Sequence, residues 1–322
     1  MSKTYLIVGA TRGIGLEFTT QLLSQGHIVI ATARSPTRSL ASTSTPNPNV
    51  NLPTPPPSSA SKLWALTGTP NGHNLTILEC DVSDEGSIKT FTEEVRKLGR
   101  KGGVLERGVI DVAVLNAGIL EYPGRVSEIS FDSFAHHLRT NTIGPLVTAS
   151  HLLSLSSTST PSLHSSTAPI SPTHPSTPIH INTLVFTSSD SGSTTNFRSF
   201  EDGFGAYSTS KAALNQGLRH LSAELHRKSQ SNSESQGHGK TVVLALHPGE
   251  VSTDMASGPP LPWEVEGIIT PEESIRCMLK VIGEKGFGGV DEGGRATAKS
   301  EGTKQEEGAA TFWTWEGRRY PW

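Results

Sequence analysis

Tyr5-Leu-Ile-Val-Gly-Ala-Thr-Arg-Gly-Ile-Gly15 decides the fold, together with Ile14, Phe18 and Leu22 at helical spacing just beyond it. Tyr5 to Val8 is a short continuous apolar run of the kind that forms a strand buried on both faces. Glycines follow at once, and then an amphipathic helix begins. A strand, a glycine turn and a helix start in that order build an anion site. Glycines let the backbone turn tightly and approach a ligand, while the helix N-terminus presents unpaired N–H groups. The spacing is GxxxGxG rather than GxGxxG, and a tight connection without ligand would use the same residues. Position after the first strand favours a nucleotide site built from Gly9, Thr11, Arg12, Gly13, Ile14 and Gly15.

Strand two, Ile28 to Ala31, runs on into Thr32-Ala33-Arg34. At this point an acidic residue would receive a ribose 2′-hydroxyl, whereas an arginine accommodates a 2′-phosphate. Arg34 stands there, and Arg12 can face the same group, because planar guanidinium donors engage two phosphate oxygens together. The alternative is a pair of solvated surface arginines. NADP(H) is expected over NAD(H).

Further strands are read at Leu75 to Cys80, Ile110 to Leu115, Ile179 to Phe186 and Val242 to Leu246. Each ends in polar or small residues. Asp81-Val82 follows the third strand, where Asp81 could contact an adenine ring or simply cap a helix with Ser83 and Asp84. Asn116-Ala117-Gly118 follows the fourth, and small residues there suit a backbone passing beside a cofactor. After the sixth, His247-Pro248-Gly249 is a turn that would leave Val251 to Thr253 beside the cofactor. The Pro-rich segment through Trp263 could cover substrate. Thr270-Pro-Glu-Glu273 is a capping box that starts a helix. The closing aromatics, Phe312 to Trp322, are expected in core and interface packing.

The fifth strand leads into Ser188-Ser189-Asp190-Ser191-Gly192 and then Tyr207-Ser-Thr-Ser-Lys211. Four residues apart on a helix, Tyr207 and Lys211 share a face. A phenol titrates near pH 10, about three units from neutrality, and a neighbouring ammonium narrows that gap. The pair could act as general acid or base on a carbonyl or alcohol oxygen, with the Ser189 hydroxyl arriving from the strand end. Asn141 lies in a helix that Pro145 also disturbs, and the residues themselves leave the role of that kink open.

At 322 residues with a net charge of −3, the chain offers no basic surface for nucleic acid. Cys80 and Cys277 are the two cysteines, which suits core thiols and supplies no metal site. No apolar run reaches transmembrane length, and a cytoplasmic protein with no membrane partner is expected. Polar insertions are read at 35–73, 154–178, 229–239 and 286–309 of a domain spanning 1–322. The first of them is expected to be a partly disordered surface excursion.

Taken together, GATRGIG at Gly9 to Gly15, DV at Asp81, NAG at Asn116 to Gly118, TNTIGP around Asn141, SSDSG at Ser188 to Gly192, YSTSK at Tyr207 to Lys211 and HPGEVSTDM from His247 resemble the short-chain dehydrogenase/reductase family. The closing WEGRRYPW is similar to the sniffer and C-factor branch, which includes carbonyl reductases and fungal ketoreductases. The resemblance implies a single doubly wound α/β Rossmann domain with a seven-stranded parallel sheet. It implies Tyr207 as proton donor, with Lys211 lowering its pKa and holding the nicotinamide ribose. Ser189 would bind the substrate oxygen, and Asn141 would hold a water leading to Lys211. Pro248, Gly249, Val251 and Thr253 would orient the carboxamide. The implied activity is reduction of a ketone, aldehyde or quinone-like carbonyl, and alcohol oxidation would use the same residues. A redox sensor or scaffold without turnover would need only the glycine loop and the arginines. The family also implies a homodimer. Val8 and Glu250 depart from the family pattern, Glu250 by standing where this branch often has an aromatic.

Overall fold

The computed structural model describes residues 2–34, 60–156, 177–231, 240–256 and 261–322. Seven strands form one sheet in the order β3-β2-β1-β4-β5-β6-β7. They are β1 (Thr4–Val8), β2 (Ile28–Ala33), β3 (Leu75–Glu79), β4 (Val109–Leu115), β5 (His180–Thr187), β6 (Val242–His247) and β7 (Thr311–Thr314). Every neighbouring pair is parallel, so the expected doubly wound α/β fold is the one observed.

Alternation along each strand divides the core in two. Leu6, Val8, Leu184 and Phe186 enter one apolar cluster with Ile88 and Phe91 of α3 (Glu85–Leu98). Ile7, Val114 and Val185 enter the other, with Phe18 and Leu22 of α1 (Gly13–Ser24) and Ile275 and Met278 of α7 (Pro271–Lys285). Because both faces are covered, the strands read as unbroken apolar runs rather than alternating ones. Each fully buried Leu, Ile or Phe contributes roughly 1.5–3 kcal/mol to this burial.

Chain order reverses at β1, from which β2 and β4 depart to opposite sides. Loops leaving the carboxyl ends of β1 and β4 therefore diverge and open a crevice. Helix caps set the entry angles around it. Asp84 accepts from the Gly86 and Ser87 amides to start α3, and Thr270 accepts from Glu273 to start α7, as the capping pattern predicted.

The insertions are shorter than their composition suggested. Residues 35–59 lie outside the described residues, but α2 (Ser61–Ala65) follows them and is packed, with Leu63 fully buried in the cluster that holds α1 and α7. Asn71 Nδ2 donates to Leu23 O at 2.8 Å. The expectation of a surface excursion through residue 73 is corrected here, since Ala60, Leu63, Trp64 and Leu66 enter or pack against that cluster and anchor the stretch. In the second insertion, Leu155 is buried, and 157–176 lie outside the described residues. The third is trimmed by α6 (Gly205–Ser231), which runs into it, and 232–239 lie outside the described residues. The fourth contains α8 (Arg295–Ser300) and a buried Lys285–Asp291 ion pair at 2.5 Å. The terminal aromatics pack as expected, with Trp313 fully buried and Phe312 stacked on Trp322.

Candidate active site

The glycine turn is shaped by its lack of side chains. Gly9 has φ +89°, and a Cβ there would lie 2.7 Å from Ala117 Cα. At Gly15 a Cβ would meet the Gly9 carbonyl oxygen at 2.0 Å. Only glycine fits either place. Arg12, the residue before α1, makes no side-chain cap bond, so its side chain leaves the first amides of the helix open to a ligand. Asn116 ties three strand ends together: its Nδ2 donates to Gly9 O at 3.0 Å and its Oδ1 accepts from Thr187 Oγ1 at 3.0 Å. Thr32, which carried no signal in the sequence beyond its strand, accepts the Gly9 amide at 2.9 Å.

From this loop a cleft runs along the carboxyl edge of the sheet. Its walls include Thr11, Arg12, Gly13, Ile14 and Arg34 at one end, Asp81, Val82 and the Asn116–Gly118 backbone in the middle, and Tyr207, Lys211, Pro248 and Thr253 at the other. Arg12 and Arg34 both reach that first end, as their positions after β1 and β2 required. Asp81 turns partly inward on its own loop, accepting from Ser83 N and Oγ, while Asp84 takes the helix cap. Gly249 and Val251 do not line the cleft. Val251 instead bridges to Ile269, and Gly249, at φ +88°, packs under Trp315. Asp254, Met255, His136 and Thr140 do line it and were not singled out in the sequence.

The polar groups converge at the inner end. Helix α4 (Phe131–Leu138) passes through a π-helical turn, Arg139–Ile143, into α5 (Gly144–Leu153). The suspected kink is thus a π-bulge, and it turns Asn141 inward. Asn141 is 1% exposed, accepts from Ile119 N at 2.8 Å, and donates to Ile119 O and Ser210 Oγ. A Cβ on Gly118 would stand 3.2 Å from Asn141 Oδ1 and 3.7 Å from Lys211 Nζ, so these two polar ends are neighbours across a glycine. Lys211 Nζ donates to Thr187 O at 2.8 Å and lies 5.7 Å from the centre of the Tyr207 ring. The Ser189 hydroxyl lies near enough to Tyr207 to influence its titration.

Electrostatics here differ from the simple lysine–phenol picture. Burial pushes the Tyr207 hydroxyl well above its ordinary pKa, and Asp190, Glu250 and Glu201 add to the rise while the Ser189 hydroxyl opposes it. Burial also lowers Lys211 from 10.5 to about 8. In the bare chain, desolvation therefore outweighs any help the lysine gives the phenol, and the expected lowering of the Tyr207 pKa is not present. On the outer side an apolar flank rises from Tyr207: Phe204 lies edge-on to it at 6.0 Å and to Trp263 at 5.3 Å. Trp263, in the segment read as a substrate cover, also meets Tyr122 and Phe200 edge-on.

A family model described as the KR domain matches residues 3–122, the part that carries the glycine loop and the first four strands. An uncharacterised oxidoreductase of Schizosaccharomyces pombe is 28% identical over 294 residues, covering 87% of this chain and 90% of that protein. Among solved structures, the NADPH-bound carbonyl reductase from chicken fatty liver superposes with a TM-score of 0.66 at 24% identity, covering 100% of this chain and 99% of its own. The carbonyl reductase Sniffer of D. melanogaster superposes at 0.63 with 22% identity over the whole of both chains. By its fold, the KR-domain match and its oxidoreductase relatives, the chain is similar to the short-chain dehydrogenase/reductases.

Proposed function

We propose that this protein is an NADPH-dependent carbonyl reductase in which Tyr207 protonates the substrate oxygen. One observation carries the reading: a single cleft joins a glycine loop flanked by Arg12 and Arg34 to an inner end that holds Tyr207 and Lys211. The cleft fits a dinucleotide phosphate, since Gly9 and Gly13 present bare backbone along its wall and the α1 N-terminus is uncapped. NADPH, when bound, supplies the hydride to the carbonyl carbon. Arg12 and Arg34 hold the 2′-phosphate, with Thr11 to Ile14 on the pyrophosphate. Asp81 and Val82 flank the adenine, and Pro248 and Thr253, which line the cleft, meet the carboxamide.

Tyr207 remains a protonated phenol at neutral pH because burial and three carboxylates oppose phenolate formation, which suits an acid in reduction. Lys211 holds the ribose, and its charge compensates the phenolate that forms as the proton leaves. Ser189 steadies the substrate oxygen, and Asn141 links Lys211 through water to bulk solvent. The Phe204 and Trp263 flank suits a carbonyl on an apolar body, such as a ketone, an aldehyde or a quinone. A cytoplasmic homodimer completes the reading, and light scattering that gives a monomer mass would remove the dimer. No helix among the described residues is long and apolar enough to cross a membrane.

NADPH consumption is measured across ketones, aldehydes and quinones for the native protein and Tyr207→Phe. Turnover that the phenylalanine variant loses by about 10²–10⁴-fold, with NADPH binding retained, supports the assignment. Tight NADPH binding with no turnover by either protein favours a redox sensor. Turnover only of alcohols with NADP⁺ reverses the direction.

A further inference from the structure

Ser189 does not stand alone beside Tyr207. Its Oγ donates to Asp190 Oδ1 at 3.2 Å and accepts from Ser191 N at 3.2 Å. Asp190 is itself gripped from three directions. Its amide donates to His247 Nδ1 at 3.3 Å, its Oδ1 accepts from Ser191 N at 2.8 Å, and its Oδ2 is paired with Arg198 Nη1. Arg198 reaches further, with Nε 3.1 Å from Glu201 Oε1, Nη1 3.5 Å from Glu250 Oε1, and its guanidinium over the Phe200 ring at 5.0 Å. One guanidinium thus serves three carboxylates that come from the Asp190 turn, the loop before α6 and the loop after β6. Burial keeps His247 neutral, which its acceptor role requires. Tyr207 faces the group from α6.

A serine hydroxyl has one proton. While Asp190 accepts it, that proton is withheld from any other acceptor, yet steadying a carbonyl oxygen requires it. We propose that Asp190 is a positioning residue that holds the Ser189 hydroxyl proton until a substrate oxygen arrives, and that Arg198 weakens this hold enough for the proton to swing over. The guanidinium does so by drawing the carboxylate charge toward Oδ2, away from the oxygen that faces Ser189. No covalent bond is broken in this step: the hydroxyl keeps its proton and exchanges the hydrogen bond to Asp190 for one to the substrate oxygen. The inference rests on the reductase reading above. It adds to that reading a dependence on two residues that need not touch substrate or cofactor.

The test is a double-mutant cycle on carbonyl reduction by the full chain, with kcat and KM measured separately and NADPH affinity followed by fluorescence. Arg198→Gln leaves the Asp190 charge uncompensated, and kcat should fall about tenfold, the weight of one charge-assisted hydrogen bond, with NADPH affinity unchanged. Adding Asp190→Asn removes the grip, so the double variant should recover to within about threefold of native. Arg198→Lys keeps the charge without the fork, should lie between, and keeps the test decisive if the glutamine variant folds poorly. A merely structural role predicts that the double variant is no better than Arg198→Gln, and that result overturns the proposal. So does Arg198→Gln with native kcat. A native protein that reduces no carbonyl overturns this proposal together with the reductase reading, whereas native turnover with an indifferent Arg198 overturns this one only.

Discussion

Lys211→Met should make the protein more stable and inactive at once. Lys211 is 4% exposed, and burial lowers its pKa from 10.5 to about 8. That difference corresponds to about 3 kcal/mol by which folding disfavours the charged lysine. Methionine keeps the apolar stem and carries no charge, but it gives up the bond from Nζ to Thr187 O, worth about 1 kcal/mol. The net gain at pH 7 is about 2 kcal/mol, or a rise of a few degrees in the melting temperature of the cofactor-free protein. The sign also fixes a pH window. Below pH 8 the lysine is charged in both states and the penalty is present in full. Between 8 and 10.5 the folded lysine is neutral while the unfolded one is still charged, so the penalty shrinks, and above 10.5 it is gone. Urea unfolding of both proteins at pH 7, 8.5 and 10 should therefore show the advantage of the variant fading and then reversing. A variant less stable than native at pH 7, or an advantage constant from pH 7 to 10, would refute the reasoning.

Arg34→Ala should weaken NADPH binding about tenfold and leave NADH binding within about twofold, because one charge-assisted pair to the 2′-phosphate is lost; isothermal titration with both nucleotides checks this. Gly9→Ala, which needs φ +89° and brings a Cβ within 2.7 Å of Ala117, should abolish nucleotide binding or cost about 1–3 kcal/mol of stability, as seen by titration and by urea midpoint. Leu63→Ala should cost about 2–5 kcal/mol if 60–66 is part of the core, and a shift under 0.5 kcal/mol would return that segment to the surface.

The strands and the glycine turn were legible because their causes are local. An apolar run buried on both faces, a position that only glycine can take, and a Thr-Pro-Glu-Glu cap each act within a few residues. The Tyr207–Lys211 spacing is local in the same way, since helix periodicity alone puts them on one face. The end of the first insertion was less legible, because Leu63 is apolar in any sequence and becomes core only once α1 and α7 form a face for it.

From sequence alone came the order of elements, the glycine turn, the arginines at the ends of β1 and β2, and which side chains could reach one oxygen. Tertiary structure decided how those groups behave. That Asn141 turns inward depends on a π-bulge, and that Gly118 separates it from Lys211 depends on β4 lying beside β5. Arg198 carried no mark in the chain, because its three carboxylates lie at sequence distances of 3 to 52 residues and meet it only after the loops fold. The protonation of Tyr207 and Lys211 was likewise undecided in the sequence. Spacing can bring a phenol and an ammonium together, but their pKa values follow from the water they lose, and that loss is a property of the packed fold.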